Sequence, residues 1–311
     1  RTLNHQRKEG GAVLQRADMS KRKVKNIITA YTFLLPNFVG FLLFTLIPIV
    51  CSMGLSFMEW DSANPMKFVG LANFAKLLED ETFSISLKNT IYYSVFTVPL
   101  TMAAALGLAL ILNQKLKGIN IFRTVFFFPH VASLVAVAVV WNLLFHPTLG
   151  PINNILRAMG VANPPGWTST IDWAMPVIII VSIWKSMGYY MILYLSGLQA
   201  IPRELYEAAK VDGAGRIRCF FSITLPILKP TIILAVFLSL TNSLRCFDLI
   251  FNLTGGGPNN ATTTLVLYAY SSCFGSSKAG YAMAISNMLF LVVLLIALMQ
   301  RTLMRRDVSE L

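Results

Sequence analysis

Charge is scarce in this chain. Lys, Arg, Asp and Glu make up 13% of its 311 residues, against about a quarter in a soluble domain of this size. The scarcity is patterned. Residues 27–57, 89–114, 124–145 and 279–300 carry none of the four, 230–253 carry only Arg245 and Asp248, and 174–200 only Lys185. A large soluble core would need amphipathic helices with charged faces, and these runs have none. A helix crosses about 30 Å of hydrocarbon in roughly 20 residues. Six runs reach that length, so the sequence predicts an all-α polytopic membrane protein with six transmembrane helices.

Other absences narrow the function. The four cysteines, Cys51, Cys219, Cys246 and Cys273, show no CxxC and no metal-ligand spacing, and three of them fall in or beside spans or on the inner side, so a disulfide framework is not expected. No GxxxxGK[ST] run is present to cradle ATP phosphates. His130, His146, Asp172 and Asp248 have neither metal nor nucleophile spacing, which argues against an intramembrane enzyme. No internal repeat, low-complexity tract or soluble domain is evident. A transporter driven by an ion gradient would carry paired repeats and broken helices around a midplane site. The first apolar run, starting near residue 27, is too long for a signal-peptide core, so no cleavable signal is expected.

What is present is basic. The net charge is +12, yet its distribution speaks for topology and against nucleic acid. With six spans the loops alternate sides. One set, 1–26, 113–123, 200–229 and 301–311, holds 19 Lys and Arg against 7 acids. The other, 59–88, 146–173 and 254–280, holds 5 basic and 6 acidic residues. The positive-inside rule puts both termini and the 200–229 loop in the cytoplasm. Lys21, Arg22, Lys23 and Lys25 abut the first span as juxtamembrane cations. Pro36 and Pro48 predict a kink in that span. The third span is expected to open at FFFPH and close near His146-Pro147, and the fifth to end in TGGGP at 254–258. TTTLVLYAYSSCF after it reads as a short outer helix or a re-entrant segment.

The loop at 201–226, IPRELYEAAKVDGAGRIRCFFSITLP, is the most ordered polar segment. Pro202 suits a first helical turn, and Glu204 and Glu207 favour the positive end of a helix over 203–211. Gly213 and Gly215 permit a sharp turn. A second helix over 216–224 is expected to stop at Pro226, giving a helix–turn–helix on the cytoplasmic face. An ordinary interfacial loop explains neither the small Ala208-Ala209 pair nor the paired glycines.

These residues resemble the signature of permease subunits of ATP-binding-cassette importers: EAA, three residues, G, nine residues, I, one residue, L-P. Here it reads Glu207-Ala208-Ala209, Gly213, Ile223, Leu225 and Pro226, with every spacing matched. Asp212-Gly213-Ala214 and Ala200-Ile201-Pro202 look like the carbohydrate branch. YTFLLPNFVGFLLFTLIP, FVGLANF, FRTVFFFP, LTGGGPNNATTTLVLYAY and GYAMAISNMLF look like the maltose-type first permease, without its large extra outer domain. The resemblance implies the type I importer permease fold. Its domains would be a basic cytoplasmic head (1–26), a permease domain (27–304) containing coupling loop 201–226, and a cytoplasmic tail (305–311). It also implies a second homologous permease, two ATPase subunits using ATP and Mg²⁺, and an extracytoplasmic solute-binding protein, in a bacterial or archaeal cytoplasmic membrane. Glu207 would anchor in an ATPase cleft, Ala208 and Ala209 would allow close approach, and Gly213 would make the turn. No cofactor would bind this chain, and hydrolysis would belong to the ATPases.

Polar residues inside a membrane are costly and mark function. Ser182, Lys185, Ser186 and Tyr189 share one helix face at i, i+3, i+4 and i+7, and so do Ser239, Asn242, Ser243 and Cys246. Lys185 lies too deep to reach water by extending its side chain, so it faces a wet cavity or a buried acid on a neighbouring subunit. Arg245 lines the path or pairs with Asp248 at i+3. His130 follows the Pro129 break as a pathway residue or a hydrogen-bonded core histidine. These positions match the sugar-lining helices of the family. The cations complement carboxylate or phosphate, so the expected cargo is an anionic saccharide, such as a uronate oligosaccharide of the alginate kind or a sugar phosphate. A neutral oligosaccharide is the alternative.

Overall fold

The structure is a computed structural model that describes residues 25–61, 63–114 and 118–308. The head cations Lys21, Arg22 and Lys23, the loop lysines Lys115 and Lys117, and the last residues of the tail, 309–311, lie outside the described residues. The chain divides into two compact units, one ending at Leu55 and the other beginning at Ser56.

The first unit contributes one long apolar helix, α1 (Lys25–Leu55), with a wide π turn at Leu42–Leu46. Pro48 cannot donate to the carbonyl four residues back, and its ring crowds that carbonyl. That carbonyl belongs to Phe44, inside the π turn, where the bonding shifts by one residue: the Ile47 N–H bonds Leu42 O. The wider turn accommodates the proline.

The second unit opens with a two-residue antiparallel pair, β1 (Met58–Glu59) with β2 (Lys67–Phe68), followed by α2 (Ala72–Glu79). Next come α3 (Glu81–Leu112), α4 (Ile119–Val131), α5 (Leu134–Leu144), α6 (Pro151–Ala158) and α7 (Ile171–Gln199). The remainder is α8 (Arg203–Val211), α9 (Arg216–Leu244, with a π turn at Phe220–Thr224), α10 (Asp248–Leu253), α11 (Leu265–Gly275) and α12 (Ala279–Val308). The segment after TGGGP is therefore a helix. Among the described residues, five helices are long and apolar enough to cross a membrane, or six if the bent pair α4 and α5 counts as one span.

Three spans differ from the sequence expectation. α3 starts eight residues before the run at 89 because Asp80 caps it, accepting from the N–H groups of Thr82 and Phe83 at 2.8 and 3.2 Å. The hydroxyls of Tyr268 and Tyr281 also bond this carboxylate. Burial pushes the Asp80 carboxyl up, but these hydrogen bonds outweigh it and hold it below its ordinary value. The third run is not one helix: α4 and α5 meet at 97° across Ala132 and Ser133. The fifth span neither begins at residue 230 nor reaches 253. It runs unbroken from Arg216 to Leu244 and stops at Arg245–Phe247, before α10. Pro226 does not end a helix here. Its crowded carbonyl, that of Ser222, lies in the Phe220–Thr224 π turn, which takes up the clash as the turn before Pro48 does.

α3 and α7 are the buried axis of this unit. Tyr93, Val137, Ile178, Val181 and Ile250 form one apolar cluster, and Met102, Ala105, Met191, Tyr194, Leu198 and Leu228 a second. α4 lies against α7 at Gly188, where a Cβ would sit 1.9 Å from the Phe126 carbonyl oxygen, so only glycine permits this approach. Trp141, Phe145, Trp167, Trp173 and Trp184 form a chain of ring contacts that joins α5, the turn before α7 and α7 itself.

Candidate transport pathway and coupling surface

Polar side chains that the sequence spreads over more than a hundred residues meet inside the second unit. A cavity of about 170 Å³ is lined by His130 from α4, by Ser182, Lys185, Ser186 and Tyr189 from α7, by Ser239, Asn242 and Ser243 from α9, and by Cys246 in the break after it. Arg245 is not in the lining. Its Nε donates to the Thr241 carbonyl at 3.2 Å, with no ion pair to Asp248 among the described residues.

α3 supplies a wall that the sequence reading missed. Tyr93, Thr97 and Thr101 stand at i, i+4 and i+8 and line the cavity, as does Tyr190 of α7. The signal was available: a helical-period stripe of hydroxyls in a run otherwise read as uniformly apolar. α3 also ties the walls together. The Tyr93 hydroxyl and Ser182 Oγ are 2.7 Å apart, and Ser243 Oγ donates to Ser94 Oγ at 3.0 Å.

Lys185 has an engagement that spacing did not reveal. Its ammonium donates to the carbonyls of Pro129, His130 and Ala132 at 3.1, 3.3 and 3.0 Å. All three N–H donors of a lysine are thereby engaged. The acceptors are the terminal carbonyls of α4, which a helix leaves unpaired and which attract cations. Lys185 thus caps the broken helix across from α7. His130, at the same break, stacks its ring on Tyr189 with centroids 4.8 Å apart.

The 201–226 segment divides into a knob and its root. α8 carries Glu207, Ala208 and Ala209, the first two exposed. Its end is closed by Gly213 at φ 77°, with Asp212 N–H bonding Ala208 O and Ala214 N–H bonding Ala209 O, a left-handed C-terminal cap that glycine favours. Ile223, Leu225 and Pro226 stand in the first turns of α9. Ile223 packs against the second apolar cluster, and neighbouring Thr224 Oγ1 lies 2.9 Å from the Tyr206 hydroxyl of α8. The first half of the motif is therefore presented outward, and the second half seats it. Val211 and Ile217 beside the turn are 89% and 76% exposed, a large apolar surface next to Glu207.

An unbroken signature on an exposed knob, below a polar cavity among apolar helices, defines the membrane subunit of a binding-protein-dependent importer. The chain belongs to that family: residues 17–306 match the model of the binding-protein-dependent transport system inner membrane component. It is 39% identical over 290 residues to the probable ABC transporter permease protein YurN of Bacillus subtilis, covering 92% of this chain and 99% of that one. It is 37% identical over 276 residues to the trehalose/maltose transport system permease protein MalF of Thermococcus litoralis, covering 88% and 93%. A crystal structure of a bacterial ABC transporter involved in the import of the acidic polysaccharide alginate superimposes with a TM-score of 0.81 at 28% identity, covering 92% and 98%. The same kind of transporter in complex with alginate pentasaccharide-bound periplasmic protein gives 0.82 at 27% identity, covering 92% and 96%. The chain is a sugar ABC importer permease subunit with the type I importer fold, an inner-membrane component.

Proposed function

We propose that this chain forms half of the translocation path of an ATP-driven saccharide importer and transmits the ATPase stroke through α8. One observation carries the reading: eight residues selected by polar spacing, with His130 beside the Pro129 break, converge on a single cavity with no Asp or Glu in its lining. Hydroxyls, an amide and stacked rings suit a polyhydroxylated cargo, since sugar faces pack on aromatic rings and sugar hydroxyls exchange hydrogen bonds. The other half of the path would be a second, homologous permease. Two ATPase subunits would each receive one coupling helix, with Glu207 as polar anchor and Val211 and Ile217 as apolar contacts. ATP and Mg²⁺ would bind those subunits. This chain is non-catalytic and binds no cofactor. An extracytoplasmic solute-binding protein would deliver cargo. Both termini would face the cytoplasm, and the basic excess would serve topology and not nucleic acid.

Two observations bear on cargo charge. Lys185 puts a positive charge in a wall without acids, which favours an anionic saccharide, as does the likeness to the alginate importer. Yet its donors already hold three carbonyls, and a carboxylate would have to displace them. The hydrogen bonds weigh more, because a helix end stripped of its cap inside a membrane has no water to replace it. The adopted reading is therefore a saccharide recognised through uncharged groups, with an acidic saccharide as the second reading. The test is ATP turnover of the purified assembly with its own binding protein, against neutral and uronate oligosaccharides of matched length. Stimulation by neutral glycans supports the first reading, and stimulation by uronates alone moves the cargo to the second. A panel in which no glycan stimulates would overturn the saccharide assignment.

A further inference from the structure

Among the buried side-chain oxygens, two lining the cavity stand apart. Thr97 is 5% exposed and Thr101 fully covered, and neither hydroxyl has a hydrogen-bond partner. A threonine in a helix readily bonds the carbonyl one turn back. Thr90, on the same helix, does so, reaching Ser86 O at 2.7 Å. Thr97 and Thr101 forgo that bond while lining the cavity between α3, α7 and α9. A buried hydroxyl without a partner is destabilising, and valine would fill the same space without that penalty. Leaving it unmade is accounted for if the partner arrives from outside the protein.

We propose that Thr97 and Thr101 are cargo-binding groups, placed on α3 to exchange hydrogen bonds with the hydroxyls of a passing saccharide. This rests on the saccharide reading above. The positions form a ladder. Tyr93 is already bonded to Ser182 and Ser94 to Ser243, so the outer rungs of this helix tie α3 to its neighbours. Thr97 lies one turn further along α3 and Thr101 two, about 6 and 12 Å beyond Tyr93. Neither inner hydroxyl makes a hydrogen bond in this structure, and both are covered, so cargo reaches them only as the path opens. α3 runs toward the cytoplasmic side in the topology proposed, so the free hydroxyls lie inward of Ser182, where cargo passes on its way in.

The experiment uses the complete assembly, reconstituted in lipid with its binding protein and carrying Thr101→Val, Thr97→Val/Thr101→Val or Thr101→Ser. Readouts are the melting temperature, ATP turnover without glycan, and the glycan concentration giving half-maximal stimulation. The expected result has two parts: Val variants that melt at or above the parent temperature, and a half-maximal concentration raised about three- to tenfold, the worth of one hydrogen bond. Thr101→Ser is expected to restore the parent value. Val variants with the parent's glycan response overturn the proposal. Variants that melt lower also overturn it, because the hydroxyl would then have a structural partner. If no glycan stimulates the parent assembly, the saccharide reading fails first and the proposal with it.

Discussion

Lys185 stands about 20 Å along α7 from its N-terminal end. A charge so deep reads first as a ligand for an opposite charge. What it meets is instead the end of a helix more than fifty residues earlier in the same chain, where Pro129, His130 and Ala132 offer carbonyls. Sequence spacing identified the residue and the polar face it shares but not the partner, because a backbone carbonyl has no letter of its own. The same limit hid Thr97 and Thr101: the letters were visible, but being without a partner is a property of three dimensions. If Lys185 is chiefly a cap, Lys185→Met leaves three carbonyls bare and lowers stability by about 2 kcal/mol or more, and uptake of neutral and acidic glycans falls alike. Arginine does not restore it, because its flat fork cannot point three donors at one converging set of carbonyls. Thermal denaturation and paired uptake assays check this. A loss confined to acidic glycans would return Lys185 to the role of cargo ligand.

Among the elements, the long apolar helices were legible because twenty uncharged residues have few other uses. Their ends were not. α3 starts early because Asp80 gathers two backbone N–H groups and two tyrosine hydroxyls from distant α11 and α12. The third span breaks at 97° because Lys185 satisfies the carbonyls that the break exposes. Prolines gave the opposite error. Pro226 was read as a stop, but a π turn one turn earlier lets α9 continue, so the coupling segment feeds directly into a span. Glycine marks the tightest approach between elements. Gly188→Ala puts a carbon 1.9 Å from the Phe126 carbonyl oxygen and forces α4 away from α7. The expected loss is about 1–3 kcal/mol, read as a lower melting temperature, with impaired uptake because His130 rides on α4. Parent-like melting would contradict the close packing assigned to this crossing.

For the molecule as a whole, membrane class and family were readable from charge distribution and one spaced signature. The cavity was partly readable: polar faces of α7 and α9 were found, and the face of α3 was not. The division of labour within the signature needed the structure. Glu207 and Ala208 are presented on α8, while Ile223 and Leu225 root the knob in α9, with Tyr206 and Thr224 joining the two. α9 also lines the cavity through Ser239, Asn242 and Ser243. In the function proposed, α8 moves with α9, and a push on the knob is a push on that wall. The most direct measurement is ATP-driven glycan uptake into vesicles holding the full assembly with Glu207→Lys. The account expects the ATPase subunits to dissociate on purification and uptake to fall at least about tenfold, the scale of losing a central interface anchor. Full-rate uptake by Glu207→Lys, or import by the permeases with no ATPase attached, would contradict it.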